Sequence, residues 1–392
     1  MERTDAYARR RRRRPRRWVR IAAVVCLCVA SLAAGYGAHA VVSGRDPAAP
    51  AAAHPTTTVT VTTETTTTTP PPPPPDPRTV SIAAVGDTML GSTPELPPSP
   101  STYLAAMRAD LHADIVFGNL EGTLTDATTS KCKPKAKDCF AFRAPPDFAS
   151  DLHAAGFTVM NNANNHSYDF GAAGQADTVR ALHAAGIAQT GLPGQITVVH
   201  PGGVRVAMLG FAPYSDTASL LDLPAARALI QRAAELADIV VVAIHAGAEG
   251  TGAQHVTGAE ESYVGEDRGD PEAFAHMAVD AGADLVLGSG PHVLRGMEMY
   301  RGRLIAYSLG NFAGYHNFGL DGALADSAVL HVKLTAKGAF RSGRIASVRL
   351  VDAGMPEPDP AGTGAQLIAR LSRDDLGSGA VRVTPAGRIA PP

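Results

Sequence analysis

The feature that most constrains this fold is a series of apolar segments, each followed by a polar side chain that can bind a metal ion. The segments are 80–85, 114–117, 157–160, 239–244 and 284–287, and the residues that follow them are Asp87, Glu121, Asn165-His166, His245 and His292. In open α/β sheets, ligands bind beyond the carboxyl ends of the strands. Five such ends in one chain predict a single metal site at a common rim.

The stretches between these strands have helical or hairpin patterns. Apolar spacing predicts helices over 176–185, 225–237 and 271–281, and a late helix over 366–371. Hairpins are predicted over 196–210 and 297–308, and two further strands within 327–351. The alternation indicates one α/β domain of roughly 300 residues that begins near Thr79.

The N-terminus is strongly basic and then apolar. Residues 1–20 contain ten Arg, and an apolar run follows over 21–42. Basic residues before an apolar run are expected to stay cytoplasmic. The run fits a weak transmembrane anchor of about 20 residues, or a signal peptide cleaved after Ala38-His39-Ala40. We therefore expect a single-pass protein of the cell membrane with an extracytoplasmic main domain, or alternatively a secreted one.

Composition separates this N-terminus from the main domain. Residues 43–78 are rich in Thr and Pro, which predicts a disordered linker. Beyond residue 20 the chain has ten more acidic than basic residues, which argues against a nucleic-acid partner.

Cys132 and Cys139 bracket a short loop and are expected to form a disulfide outside the membrane. Such a bond would stabilise the fold by about 2–3 kcal/mol.

Six ordered motifs resemble the bacterial capsule-synthesis protein family CapA, which is linked to poly-γ-glutamate. They are Gly86-Asp87-Thr88-Met89-Leu90, Gly118-Asn119-Leu120-Glu121, Asn164-Asn165-His166-Ser167-Tyr168-Asp169, His245-Ala246-Gly247-Ala248-Glu249, Gly288 to Leu294, and Ser308-Leu309-Gly310-Asn311-Phe312. The resemblance covers about residues 79–355 and leaves 356–392 as a C-terminal extension that is expected to pack partly on the domain.

The resemblance implies a four-layer α/β/β/α sandwich of the metallophosphoesterase type. Its metal ligands would be Asp87, Glu121, Asn165, His245 and His292. This mixture of oxygen and nitrogen ligands suits Mn, Fe, Zn or Mg. Family members usually have His-Pro-His where this chain has Gly290-Pro291-His292, so the number of ions, one or two, stays open.

The resemblance also assigns roles around the metal. His166 would donate a proton to the leaving group, and Asp169 would fix its tautomer; the alternative for Asp169 is a helix N-cap. Glu249, Arg295 and Asn311 would support the ligands or contact substrate. The alternatives are a surface position for Glu249 and for Arg295, and a structural turn for Asn311.

Two functions follow from these patterns. The first is an extracytoplasmic metal-dependent hydrolase that cleaves a phosphoester or amide bond while a surface polymer or its precursor is assembled. The second is a non-catalytic, membrane-anchored export or anchoring component of a capsule complex. A cytoplasmic phosphatase is disfavoured by the N-terminus and by the Cys132/Cys139 pair. Family membership alone does not decide between the first two.

Overall fold

The residues that the structure describes form twenty strands and six α-helices, and strands alternate with helices as the sequence patterns predict. The structure is a computed structural model that describes residues 76–133 and 139–392. The strands are β1 (Thr79–Met89), β2 (Ile115–Leu120), β3 (Thr123–Leu124), β4 (Arg143–Ala144), β5 (Val159–Asn161), β6 (Ala188–Thr190), β7 (Thr197–Val199), β8 (Val206–Phe211), β9 (Ile239–His245), β10 (Glu261–Tyr263), β11 (Glu266–Gly269), β12 (Leu285–Ser289), β13 (Met297–Tyr300), β14 (Arg303–Ala306), β15 (Asn311–Gly314), β16 (Asp326–Thr335), β17 (Phe340–Val351), β18 (Met355–Pro358), β19 (Arg382–Val383) and β20 (Arg388–Ala390). The helices are α1 (Pro100–Tyr103), α2 (Phe148–Ala155), α3 (Gly171–Ala184), α4 (Leu223–Leu236), α5 (Pro271–Ala281) and α6 (Thr363–Asp375).

Two large sheets contain most of these strands. The first has the order β19-β20-β17-β16-β1-β2-β5-β6, with β15 beside β1 and β18 beside β17. The second has the order β13-β14-β12-β9-β8-β7. Strands β1, β2, β5 and β6 run parallel, as do β8, β9, β12 and β14. Parallel strands place their carboxyl ends at one edge, so the polar residues that follow them come together.

The two sheets pack face to face, and helices cover their outer sides. Ile82 and Phe117 of the first sheet share one buried cluster with Val241 and Leu285 of the second. Helices α4 and α5 pack on the outer face of the second sheet, and α2 and α3 on that of the first. The predicted α/β/β/α layering is therefore present.

Local sequence signals set the starts of the helices on the second sheet. Asp222 and Asp270 precede α4 and α5, and their carboxylates accept hydrogen bonds from the backbone N–H groups of Ala225 and Ala273. Each helix also has a proline in its first two positions, where the missing N–H costs nothing. Helix α5 ends at Gly282, whose φ of 119° is accessible to glycine without strain.

A close backbone approach occurs within β1, at Gly86-Asp87, three residues before the strand ends at Met89. A Cβ on Gly86 would lie 1.9 Å from the carbonyl oxygen of Gly310, so only glycine fits there. The next residue, Asp87, donates its backbone N–H to that carbonyl at 2.9 Å. The Gly-Asp pair thus brings β15 against β1 and aims the Asp87 side chain at the rim between the two sheets.

Both predicted hairpins form, as β7–β8 and β13–β14. The late helix is longer than predicted, and β18, α6, β19 and β20 all pack on the first sheet or pair with it. The predicted basic segment 1–20, the apolar segment 21–42 and nearly all of the linker lie outside the described residues. Within residues 76–133 and 139–392, no helix combines the length and apolar character needed to cross a bilayer.

Candidate metal centre and proton-transfer pair

Three side chains converge at the rim between the sheets: one from near the end of β1, one directly after β2, and one from the loop after β12. Asp87, Glu121 and His292 each place one ligand atom within 4.8 Å of the others. His292 Nδ1 lies 3.2 Å from Asp87 Oδ2, and its Nε2 lies 3.5 Å from Glu121 Oε1. Asp87 and Glu121 are almost completely buried. Residues far apart in sequence thus form one carboxylate–imidazole cluster.

His245 adds a second imidazole from the last position of β9. Its Nε2 lies 3.9 Å from Glu121 Oε1, and its Nδ1 lies 3.7 Å from Asp87 Oδ1. The Nε2 atoms of His245 and His292 therefore both point at the same carboxylate oxygen. Two ligands of one ion, each bound at about 2.0–2.2 Å, are separated by about 3–4 Å, so these distances fit a shared cation.

The buried atoms of this cluster also fit a metal because several have no hydrogen-bond partner among the described residues. They are both carboxylate oxygens of Glu121 and Nε2 of His245; Oδ1 of Asn165, in the loop after β5, is also buried without a partner. An unpaired buried polar atom costs about 1–3 kcal/mol. A bound cation would satisfy the Glu121 and His245 atoms together, since they lie 3.9 Å apart, so these residues are chemically consistent with the predicted ligand roles.

Burial and mutual charge shift the pKa values of the cluster. Burial lowers the pKa of His245 to about 3, so its imidazole is neutral and ready to bind a metal. Burial also lowers the pKa of His292, but the carboxylates of Glu121, Asp87 and Glu249 outweigh it and raise the pKa to about 10. Burial raises the pKa of Glu121 well above its usual range. Without metal, protons therefore occupy the cluster.

Metal affinity is expected to rise with pH because binding must displace the proton of His292, whose pKa without metal is about 10. Each proton released increases the apparent affinity about tenfold per pH unit. Titration calorimetry with Mn²⁺ between pH 6 and 8, in buffers of different ionisation enthalpy, measures the number of protons released. An affinity that does not change over this range would contradict the arrangement.

Gly290 stands where the family usually has an additional histidine, and its backbone is specialised. Its φ is 109°, and an added Cβ would lie 3.0 Å from Ala246 N and 3.2 Å from His245 Cδ2. Its N–H donates to Asp87 Oδ2 at 3.3 Å. This conformation disfavours a larger residue, and position 290 supplies a hydrogen bond in place of an imidazole.

Asparagines that the sequence analysis did not single out connect the cluster to the loop after β5. Asn119 Nδ2 donates to Asp87 Oδ1 at 2.8 Å and lies 3.2 Å from His245 Nδ1. Its Oδ1 accepts from Asn161 and Asn164 at 2.8 and 3.3 Å. The Oδ1 of Asn164 in turn accepts the backbone N–H of His166 at 3.0 Å. In the sequence, the one sign of this network is that the asparagines occur together at the ends of β2 and β5.

His166 and Asp169 form the pair that the resemblance implies. His166 Nδ1 lies 2.8 Å from Asp169 Oδ2, and Asp169 is fully buried. Asp169 does not cap α3: the N-cap is Phe170, and no side-chain cap bond forms. Its Oδ2 accepts the backbone N–H of Phe142 at 2.6 Å. The imidazole is thus held through Nδ1, which leaves Nε2 for proton transfer.

Lys131 is a second residue that the sequence analysis missed. Its Nζ lies 2.6 Å from Asp169 Oδ1 and donates to the backbone carbonyl of Asn165 at 2.9 Å. The neighbouring Cys132 forms the predicted disulfide with Cys139. Beyond Cys139, the ring of Phe142 lies 4.6 Å from that of His166. The disulfide therefore closes a loop whose two arms both contact the His166–Asp169 pair.

Opening this loop is expected to affect turnover as well as stability. Replacing Cys132 and Cys139 by serine should lower the free energy of unfolding by about 2–3 kcal/mol and lower kcat, because Lys131 and Phe142 lose their restraint. Lys131→Met, with the disulfide intact, is the matched control for the side-chain contribution. If the serine variant loses stability but keeps full kcat, the disulfide contributes to folding stability and not to turnover.

Two further predicted residues, Asn311 and Glu249, contact the ring of His292. Asn311 Oδ1 lies 2.9 Å from His292 Nδ1 and orients that ring. Glu249 Oε2 lies 3.7 Å from His292 Nε2, and its other oxygen accepts from Arg268. Arg268, which the sequence analysis missed, is buried with its guanidinium 5.7 Å from the ring centres of both Tyr214 and Tyr263.

Arg295 is neither on the surface nor free to bind substrate. It is fully buried, and its two terminal nitrogens donate to Glu261 at 2.8 and 2.7 Å. Its Nε donates to the carbonyl of Ala253 at 2.7 Å. The predicted substrate contact and the alternative surface position are therefore both wrong for Arg295. Its role is structural: it holds the β10–β11 hairpin beside the cluster through Glu261.

The family assignment is decided by a match along the chain. The family model described as "Bacterial capsule synthesis protein PGA_cap" matches residues 81–315, which is more than half of the chain. The chain belongs to this family. The matched region contains every residue of the candidate centre.

Curated relatives of this capsule-synthesis family member carry related names. "Capsule biosynthesis protein CapA" of Bacillus anthracis is 33% identical over 221 residues, which are 51% of this chain and 50% of that protein. "PGA biosynthesis protein CapA" of Bacillus subtilis is 30% identical over 254 residues, covering 59% and 63%. A "Probable polyglutamine synthesis accessory protein" of Mycobacterium tuberculosis is 32% identical over 226 residues, covering 50% and 55%. The chain thus spans about half to two thirds of the length of these relatives.

Solved structures show more distant similarities. The 5′-nucleotidase precursor of Thermus thermophilus covers 76% of this chain and 59% of its own, with a TM-score of 0.39 and 14% identity. The NAD nucleotidase of Haemophilus influenzae covers 76% and 56%, with a TM-score of 0.37 and 12% identity. Similarity at this level carries no information on activity.

Proposed function

We propose that this family member is an extracytoplasmic, metal-dependent hydrolase of the metallophosphoesterase type that acts in the assembly of a capsule or another surface polymer. The bond would be a phosphoester or an amide. The observation that carries the proposal is the Asp87–Glu121–His245–His292 cluster, joined by hydrogen bonds through Asn119 and Asn164 to the loop of the His166–Asp169 pair. The names of the relatives support the polymer context.

In this proposal one group of residues binds the metal ion and a second group transfers a proton. Asp87, Glu121, His245 and His292, with Asn165, would hold one divalent ion of the Mn, Fe, Zn or Mg kind. Such an ion supplies Lewis-acid chemistry, which polarises a phosphoryl or carbonyl oxygen and makes water a better nucleophile. Gly290 leaves the cluster with two imidazoles, which favours one ion over two.

His166 would donate the proton that the leaving group needs. Asp169 accepts from its Nδ1 and so keeps Nε2 available, and Lys131 and the Phe142 N–H fix Asp169 from the other side. A proton donor positioned in this way contributes about 10²- to 10⁴-fold in rate.

The proposed location outside the cytoplasm is supported by the Cys132–Cys139 disulfide, since such bonds persist in oxidising compartments. The ten Arg followed by an apolar run favour attachment to the cell membrane, with secretion after cleavage as the alternative. A surface polymer or its precursor, and a capsule-synthesis complex, are the proposed partners.

The test is a metal and substrate panel on the purified full chain. Metal content is measured first, and then hydrolysis of a phosphodiester and of poly-γ-glutamate with added Mn²⁺ or Zn²⁺. We expect metal-dependent turnover of at least one substrate, abolished by His245→Ala together with metal binding. Bound metal without turnover on any substrate, combined with a capsule defect in cells, would favour the non-catalytic assembly component instead.

A further inference from the structure

A basic groove lies at the end of the first sheet that is remote from the metal centre. Its cavity of about 400 Å³ is lined by side chains that include His112, His331, Lys333, Arg344 and Arg388. Ser81 of β1 also lines it, six residues before Asp87. At about 3.3 Å per residue, the groove is about 20 Å from the candidate metal centre and forms a separate site.

The register of the strands places these residues on one face. His331 of β16 pairs with Arg344 of β17, and Arg344 pairs with Arg388 of β20. Directly paired residues point to the same face of a sheet, and so does Lys333, two residues after His331. Like charges placed opposite each other in a sheet are destabilising. The row of Arg344 and Arg388 therefore costs free energy that a bound anion would offset.

The nearby carboxylates neutralise only part of this charge. Asp110 accepts from Arg344 at 3.0 Å and lies 3.4 Å from His331 Nε2. Asp114 is occupied by the backbone N–H and hydroxyl of Ser81, at 2.8 and 2.6 Å. Among the described residues, neither Lys333 nor Arg388 forms an ion pair. The positive charge of the groove is thus in excess.

The chemistry of the groove selects a ligand with several anionic groups. Burial lowers the pKa of His331, so the charge comes from Lys333, Arg344 and Arg388, while His331 contributes a neutral imidazole. Neighbouring paired strands place facing residues about 5 Å apart, so three cations lie within a short span. One carboxylate or phosphate cannot contact all three, whereas a chain of closely spaced carboxylates can.

We propose that the basic groove formed by Lys333, Arg344 and Arg388 binds a polycarboxylate chain, away from the metal centre. This deepens the proposed function and rests on it for the identity of the polymer. On a chain with ten more acidic than basic residues beyond residue 20, a local basic groove would hold an anionic polymer that the rest of the domain repels. Polymer held there could be presented to the rim about 20 Å away.

The experiment is lysine footprinting of the full chain. Lys333 is acetylated with a limiting reagent and quantified by mass spectrometry, with and without a ten-residue poly-γ-glutamate oligomer. With the oligomer at about four times its Kd, mass action predicts that the acetylation rate of Lys333 falls about fivefold. Lys337, in the turn after β16, should stay within about twofold of its free rate. Because the readout is local, binding to the N-terminal arginines does not affect it.

The double variant Arg344→Gln/Arg388→Gln should lose the protection, and Arg180→Gln/Arg373→Gln, which removes the same charge elsewhere, should keep it. Unchanged reactivity of Lys333 with the wild-type chain would overturn the proposal. Equal protection by inorganic phosphate, by a DNA duplex or by anionic lipid vesicles would overturn its polycarboxylate part. Metal content of the groove variant, and its turnover of a small phosphodiester that is too short to span the distance from the groove to the rim, should equal those of the wild type, so failure of the hydrolase proposal is detected separately.

Discussion

Replacing His166 by glutamine is expected to lower kcat about 10²- to 10⁴-fold while metal binding stays at the wild-type level. The reason is geometric: His166 is held by Asp169 at 2.8 Å and is not one of the side chains that converge on Glu121. Loss of a general acid removes the proton donor and leaves the metal ligands intact. The measurement combines metal content with kcat for the best substrate of the panel.

The matched control for this experiment is Asp169→Asn, which keeps the shape of the pair and disturbs the tautomer of His166. It should also lower kcat, and it should not lower metal content. A His166→Gln variant with full activity would show that the leaving group needs no proton from this residue. A variant that loses both metal and activity would place His166 among the ligands.

Replacing Glu121 by glutamine is expected to abolish metal binding without destabilising the metal-free protein. Burial raises the pKa of Glu121 well above its usual range, so the metal-free native state retains a proton that the unfolded state loses. The contribution of this carboxyl to the stability of the metal-free wild type therefore falls as pH rises above the unfolded-state pKa of about 4.3. Glutamine mimics the protonated form and removes this loss, so at pH 8 the metal-free variant should be at least as stable as the wild type.

Thermal unfolding with and without Mn²⁺ measures both effects. At a metal concentration 100-fold above the Kd, the wild type should gain about 2.7 kcal/mol, whereas Glu121→Gln should gain nothing. Glu235→Gln, at an exposed position on α4, is the control for the same chemical change. A metal-dependent gain that survives in Glu121→Gln would exclude this carboxylate as a ligand.

The α/β class and the strand ends that carry the site could be predicted because they depend on local patterns, whereas the four-layer arrangement was implied by the family resemblance. Apolar runs followed by Asp87, Glu121 or His245 mark buried parallel strands, and parallel strands necessarily bring their carboxyl ends to one edge. The pairing of Cys132 with Cys139 followed from their short spacing and the expected compartment.

The contacts around the site could not be predicted because they depend on which loops meet in space. Lys131 lies beside a cysteine in a polar loop and gave no sign that it reaches Asp169, 38 residues later in the chain. Arg268 lies in a charged stretch that is typical of a surface, yet it is buried between two tyrosines. Arg295 lies three residues after His292, a position that suggests a substrate contact, yet both terminal nitrogens of its guanidinium donate to Glu261.

The most direct test of the central claim is anomalous diffraction from a crystal of this protein soaked with Mn²⁺. We expect one peak at the rim between the two sheets, within bonding distance of Asp87, Glu121, His245 and His292. A peak elsewhere, or none at a concentration that saturates binding in solution, would contradict it.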